Sequence, residues 1–453
     1  MTRATWIKDA RHWRTGARFE LICAGGMIAA AGDDVAAWRS AAPAGGFEIE
    51  ALDARGALLA PGLVDVHVHL REPGQSGKET IATGTRAAAA GGFTSVMCMP
   101  NTDPVVDSPA GVEWVLNRAS AAGHCRVHPI AAVTVGQLGE QLTEFMALRD
   151  AGVVALSDDG RPVMSACVMR RALEYATHAA LPIICHEEDL TLRGAGQMNE
   201  GPVATRLGIA GIPNAAESIM VRRDCDLAAL TGGRVHFAHL SCAESLDALR
   251  DGKRRGLAVT GETCPHYWTL TDAAVGEFET NAKMNPPLRA ECDRRAVIEA
   301  IIDGTLDCFA TDHAPHRALE KDQPFDAAPF GIVGLETALA LTITHLVEPG
   351  HITMTRALEL WTEAPRRIFG MPPVELKAGF PADLTLIATD EEWTVDPNAF
   401  ESKGRNTPFG GARLTGRVLV TICDGRVTHA GPALAREFSP GSLGPAFAAG
   451  VSH

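Results

Sequence analysis

The chain predicts an α/β fold, a TIM-type (β/α)8 barrel carrying a small discontinuous β-sandwich domain built from both ends of the sequence. Three observations predict it. Eight short apolar strands alternate with helical stretches between Pro61 and Gly370, the order that parallel barrels follow. Polar residues able to do chemistry recur at the C-terminal ends of those strands, the rim where such barrels form their sites. β-like runs stand before residue 60 and return after residue 370. At 453 residues the chain exceeds one ordinary core, so a large domain plus a smaller one is expected. The expected divisions are 1–60 and 371–435 for the two parts of the β domain, 61–370 for the barrel and 436–453 for a tail. An open doubly wound sheet is the competing arrangement, and eight alternations favour closure.

The first β-like runs are Phe19 to Cys23, Met27 to Ala31 and Phe47 to Leu52, separated by turn residues. Pro61-Gly62 then punctuates the entry to L-V-D-V-H-V-H-L-R, Leu63 to Arg71. A strand turns alternate side chains to one face, so His67 and His69 point the same way. The next strands are Phe93 to Met99, ending in M-P-N-T; Arg126 to Val133; and Val153 to Leu156, ending in S-D-D-G. Pro182 to Cys185 runs into H-E-E-D, and Val235 to Ala238 into H-L-S. Leu257 to Thr260 follows, and Leu306 to Ala310 runs into T-D-H-A-P-H. Helical stretches between them include Glu79 to Ala90, Leu138 to Ala151, Met164 to Ala179, Ala215 to Leu230 and Arg294 to Ile302. The barrel part is longer than the ~250 residues typical of the fold, and the surplus is assigned to loops on the active face. Beyond it, Leu384 to Ile387, Leu414 to Val420 and Val427 to His429 read as strands, and the Gly/Pro/Ala-rich tail after Gly431 reads as disordered.

Composition narrows the function. A net charge of −14 with no basic stripe argues against a nucleic-acid partner. No apolar run reaches membrane-spanning length. The opening M-T-R-A-T-W-I-K-D lacks a signal core, so a cytoplasmic protein is expected. Eleven cysteines with no C-x-x-C pair fit reduced, buried thiols, Cys185 included.

His67, His69, His186, His239 and two carboxylates, all at strand ends, can hold one or two divalent metals, and imidazole with carboxylate suits zinc. Two metals need a bridging anion. The carboxylated lysine that bridges them in several barrel hydrolases is excluded, because no lysine lies between Glu79 and Gly252. Asp158 and Asp159 remain; we choose Asp159, with Asp158 as the alternative. Asp312 ends the eighth strand, and it can touch a metal as well as water. A metal lowers the pKa of its water to about 7 and makes a nucleophile of it. Asp312 can take that proton and hand it to a leaving nitrogen. His236, three residues before His239, faces the other way in a strand and reads as structural; His128 and His266 stand near strand ends without an assigned role.

These residues closely resemble dihydroorotase, of the cyclic amidohydrolase superfamily. The matching segments are D-V-H-V-H-L-R-E-P-G (65–74), M-P-N-T (99–102), D-D-G (158–160), N-P-P-L-R (285–289), T-D-H-A-P-H (311–316) and A-P-F-G-I-V-G-L-E-T (328–337). The resemblance implies reversible ring closure of N-carbamoyl-L-aspartate to L-dihydroorotate in pyrimidine synthesis, by attack of a metal-activated hydroxide on the ring amide. It implies that His67, His69, Asp159, His186, His239 and Asp312 ligate zinc, with Asp312 also the catalytic acid/base. It further implies that His69, Arg71, Asn101, Asn285 and His316 meet the substrate, and that Phe330 and Gly331 offer backbone groups to the ring. A planar guanidinium at Arg71 suits the substrate's α-carboxylate.

Two other readings compete. G-E-T-C-P-H-Y (261–267), like H-E-E-D (186–189) in place of the commoner H-C-E-D, departs from the family pattern, the former toward allantoinases and hydantoinases. Those enzymes share the metal site without needing an α-carboxylate clamp. A non-catalytic barrel that partners aspartate transcarbamoylase would be free to lose ligands, and all six candidates are present. The sequence leaves the number of metals, homo-oligomerisation and a transcarbamoylase partner open.

Overall fold

The computed structural model describes residues 2–432 and Leu434; the expected tail lies outside the described residues. Two eight-stranded sheets organise the chain. The first is the barrel, and we number its strands β1 (Leu63–Val68), β2 (Phe93–Cys98), β3 (Arg126–Ala131), β4 (Ala155–Leu156), β5 (Ile183–Cys185), β6 (Val235–Phe237), β7 (Val259–Thr263) and β8 (Cys308–Phe309). They pair in sequence order, and every pairing is parallel. The seam between β8 and β1 is closed just past the strand ends. There His69 N donates to the carbonyl of His313 at 2.9 Å. The buried Asp65 carboxylate accepts the N–H groups of His67 and Thr311, both at 3.1 Å, and the Thr311 hydroxyl.

The crossover segments carry helices whose starts follow ordinary capping chemistry. Thr80, Ser108 and Ser165 cap helices Ile81–Ala90, Pro109–Ala122 and Ala166–Ala179 with their hydroxyls. Asn214–Thr231, Ala243–Arg254 and Glu291–Ile302 complete the longer ones. One expected helix differs. Leu138 to Ala151 is helical only over Phe145–Asp150, after a 3-10 turn at Val135–Gln137. Gly136 and Gly139 take φ of 61° and 72° there, a left-handed backbone that breaks the helix. Most barrel strands are shorter than the apolar runs suggest, whereas β7 starts two residues later than expected and runs on to Thr263, which carries Glu262 into the strand.

The second sheet joins the two chain ends. Leu58–Pro61 pairs parallel with Thr2–His12 and antiparallel with Leu384–Thr394, which continues to Arg413–Cys423 and Arg426–Ala430. The short strand runs straight into β1 through Gly62, where a Cβ would stand 2.1 Å from Thr94. Arg126 of β3 pins the two sheets together through Asp383 at 2.9 Å and Asp424 at 3.2 Å. The C-terminal strands thereby pack beneath the barrel and leave its opposite rim open for the site.

Candidate metal centre

His67 lies within β1 and His69 one residue beyond it; Asp159, His186, His239 and Asp312 follow β4, β5, β6 and β8. All six are buried, and all converge. The imidazole centroids of His67 and His239 stand 5.0 Å apart, and those of His186 and His239 4.8 Å. Asp159 Oδ1 lies 3.4 Å from His67 Nε2, 3.6 Å from His186 Nδ1 and 3.7 Å from His239 Nε2. Its other oxygen is 3.6 Å from His69 Nε2. Asp312 Oδ1 is 3.0 Å from His69 Nε2 and 3.5 Å from His67 Nε2. Ligand atoms sharing one tetrahedral zinc stand ~3.4 Å apart, so most of these separations are those of a common ion. Two overlapping donor sets result: His67, Asp159 and His239, and His67, His69 and Asp312. Asp159 faces both.

The donor set also fits a metal electrostatically. His67 Nε2 and Asp159 Oδ1 are buried, face one another and have no hydrogen-bond partner among the described residues. Orphaned buried polar atoms cost about 1–3 kcal/mol each, and a divalent cation would satisfy both. Burial lowers the His67 pKa, but Asp159, Glu262 and Asp312 outweigh it and hold the group well above the imidazole range. His186 is likewise raised: burial opposes, and Glu188 and Asp159 prevail. Burial raises Asp159 and Asp312, yet the surrounding histidines hold both below the carboxylate range. Of the adjacent pair Asp158 and Asp159, only Asp159 reaches the histidines. Asp158 turns away and accepts the N–H groups of Val133 at 2.8 Å and Thr134 at 3.1 Å.

Three site residues sit on left-handed backbone: Arg71 at φ 62°, His239 at 36° and Asp312 at 48°. Each such residue costs about 1–3 kcal/mol and persists where surrounding structure over-determines it. Their clustering on one rim marks the site independently of side-chain chemistry.

A cavity of about 280 Å³ opens above the cluster, lined by His69, Arg71, Asn101, Asn285, His316, Phe330 and Gly331 among others. Arg71 is buried there, and among the described residues no carboxylate lies within ion-pair distance of it. Its Nε donates to the Pro315 carbonyl at 3.2 Å. Asn101 is tied more closely to the donor set than the sequence suggests: its amide oxygen is 2.9 Å from His69 Nδ1, and its nitrogen donates to Asp159 Oδ2 at 3.1 Å. Asn285 donates to Glu188 at 3.2 Å and approaches His186 Nε2 at 3.3 Å. His316 Nε2 faces the Phe330 carbonyl at 2.8 Å.

Glu262 and Arg193 are the residues that sequence reasoning missed. The fully buried Glu262 of β7 meets His67 Nδ1 at 3.2 Å and His236 Nε2 at 3.1 Å. A carboxylate on the far nitrogen of a ligating imidazole fixes its tautomer and raises its basicity. His236 is thus outside the donor cluster and reaches it through Glu262. Arg193 lines the cavity with its guanidinium 5.2 Å from the Phe330 ring centroid. The signal for Glu262 was its strand position, two residues past Thr260 on the same face; nothing in the sequence singled out Arg193.

A family model described as Dihydro-orotase-like matches residues 56–245. A dihydroorotase of Desulforapulum autotrophicum is 55% identical over 381 residues, which are 84% of this chain and 89% of that one. A dihydroorotase of Syntrophotalea carbinolica is 48% identical over 91% of this chain and 95% of its own. Among solved structures, an L-hydantoinase from Arthrobacter aurescens superposes with a TM-score of 0.82 over 95% and 96% of the two chains, at 23% identity, a likeness of fold alone. By its relatives and the family model together, the chain belongs to the dihydroorotase family of cyclic amide hydrolases.

Proposed function

We propose that the protein is a zinc-dependent dihydroorotase that interconverts N-carbamoyl-L-aspartate and L-dihydroorotate in pyrimidine synthesis. The observation that carries this reading is the cavity itself, with a convergent His/Asp set on its floor and, on its wall, a buried guanidinium, Arg71, that has no ion-pair partner among the described residues. In this reading His67, His69, Asp159, His186, His239 and Asp312 would hold zinc. Zinc, when bound, supplies Lewis acidity and ionises water near neutrality.

Arg71 pairs with the α-carboxylate as a planar fork and fixes the ring's orientation. The Phe330–Gly331 backbone lies along the ring, with His316, Asn285 and Asn101 completing the wall. Asp312, ionised because its histidine neighbours hold its pKa down, accepts a proton from the attacking water and delivers it to the departing ring nitrogen. Cyclisation reverses these moves. The G-E-T-C-P-H-Y segment does not favour a different ring, because its Glu262 faces His67 and not the cavity. No described helix is long and apolar enough to cross a membrane. Eleven free thiols support a reducing, cytoplasmic setting.

The test is the absorbance of dihydroorotate in the presence of zinc-loaded enzyme. Ring opening releases a proton near neutrality, so each pH unit favours the open form about tenfold, ~1.4 kcal/mol. Net cyclisation is expected at mildly acid pH and net hydrolysis at alkaline pH. No absorbance change in zinc-replete enzyme would overturn the reading.

A further inference from the structure

Two lysines are buried beside the cavity without a carboxylate partner. Lys283 is 2% exposed and Lys321 5%, and among the described residues neither has an acid within ion-pair distance. Their ammonium groups instead point into the backbone of the segment that forms one wall of the cavity. Lys283 Nζ donates to the carbonyls of Phe325 at 2.6 Å and Asp326 at 3.2 Å. Lys321 Nζ donates to the carbonyls of Pro329 at 2.9 Å, Gly331 at 3.0 Å and Lys283 at 3.3 Å. The Gly331 N–H closes the loop on the Lys283 carbonyl at 3.0 Å. Lys283 Nζ also lies 4.6 Å from the Phe330 ring centroid.

This is a costly arrangement for packing alone. An isolated buried ammonium is penalised by desolvation, and apolar side chains would fill the same space without that cost. What it achieves is specific. Four carbonyls of the 325–331 segment, those of Phe325, Asp326, Pro329 and Gly331, turn toward the two lysines, and a buried carbonyl needs a donor. Two ammonium groups supply four bonds to this segment, and a fifth, from Lys321 to the Lys283 carbonyl, ties the two lysines together.

We propose that Lys283 and Lys321 are positioning residues that hold the 325–331 segment in the shape that receives substrate, so that neutralising them weakens substrate binding and spares the chemical step. The proposal rests on the reading of Phe330 and Gly331 as substrate contacts. Burial supports a role for charge here: it brings Lys283 down to about 8, with Arg193 adding to it, and Lys321 to about 7, with Lys283 adding to it. The other charged or titratable groups facing the pair are Asp326, Glu279, Arg193 and His316.

Hydrogen exchange of zinc-loaded enzyme, read by mass spectrometry on peptides covering 325–331 and corrected for intrinsic exchange, tests the clamp without substrate. Protection in the wild type should fall between about pH 6 and 9, the range in which buried lysines discharge. Protection that is flat across that range, with Lys321→Met protected like wild type, overturns the proposal. In turnover, Lys321→Met and Lys283→Met should each raise KM about tenfold with kcat within about twofold, the loss of one charged hydrogen bond to bound-state geometry. Lys321→Arg, which keeps the charge, should recover part of that KM. A fall in kcat at unchanged KM would contradict the assignment. If a variant does not fold, the wild-type exchange profile decides. If zinc-loaded enzyme leaves dihydroorotate untouched, the proposed activity fails while the exchange profile still scores the clamp.

Discussion

Glu262 stands 3.2 Å from the Nδ1 of His67, with the ring's other nitrogen directed at Asp159 and Asp312. The contact makes the metal centre depend on a strand that contributes no donor of its own. Replacing Glu262 by Gln should leave the barrel folded but lower zinc affinity about 10- to 100-fold, the usual loss on removing such a support. Competition with a chromophoric chelator measures it. Affinity equal to wild type would mean that His67 needs no help to face the ion.

In the proposed function Arg71 is the residue that would separate charged from neutral rings. Arg71→Ala should lower kcat/KM for dihydroorotate by a factor of about 10 to 150, the ~1.5–3 kcal/mol of a charge-assisted bond. A neutral cyclic ureide such as dihydrouracil should be affected far less. Steady-state kinetics on both substrates gives the ratio, and equal losses would remove the carboxylate from the account.

Asp312→Asn removes the proposed proton acceptor while keeping size and shape. The expected fall in kcat is about a hundredfold to ten-thousandfold. Metal analysis on the same sample distinguishes lost proton transfer from lost zinc.

Metal binding should release protons. His67 and His186 are held above the imidazole range, and Asp159 and Asp312 below the carboxylate range. The apoprotein therefore keeps protons on these two imidazoles to higher pH than a free histidine does, facing carboxylates that stay ionised. Zinc takes neutral imidazole, so it displaces those protons, and affinity rises with pH. Calorimetry in two buffers of different ionisation enthalpy should find about one to two protons released per active site.

A carboxyl outside the site gives a stability prediction. Glu336 accepts the N–H groups of Glu401 at 2.9 Å and Ser402 at 3.1 Å, yet burial pushes its pKa up to about 8. The folded state holds this proton more tightly than the unfolded chain. Its contribution to stability is complete at low pH and is lost as pH rises from the ordinary glutamate value toward 8, by at most about 1.4 kcal/mol per unit. Urea unfolding of wild type and Glu336→Gln at pH 5 and pH 8 should show a smaller pH loss in the variant.

The sequence was legible where chemistry and periodicity coincide. Each barrel strand announces itself by a short apolar run, and the candidate donors stand where those runs stop, so the convergence of His67, His69, His186, His239 and Asp312 on one rim could be expected without coordinates. What could not be read is what long-range closure decides. Glu262 looks like any strand acid until β7 is laid beside the strands that carry His67 and His236. Nothing in the sequence sets Lys283 and Lys321 apart from surface lysines, because Lys is almost never buried unpaired. Asn101 and His316 were legible as site residues but not in their bonding: His69, Asp159 and the Phe330 carbonyl claim their polar atoms. The expected helix from Leu138 failed for a local reason, two glycines whose left-handed geometry carries no periodic signature.

The seam at Asp65 and Thr311 joins residues 246 positions apart. His67 and His69 enter the cell's pool of nascent chain early, and Asp312 arrives only when seven more strands have been made. A growing polypeptide halted before that point owns part of the proposed chelating set and no ring to hold it. In that reading full-strength ion capture would report that synthesis has run past the last barrel strand, and a truncated product would stand apart from the finished one by its weak grip on metal.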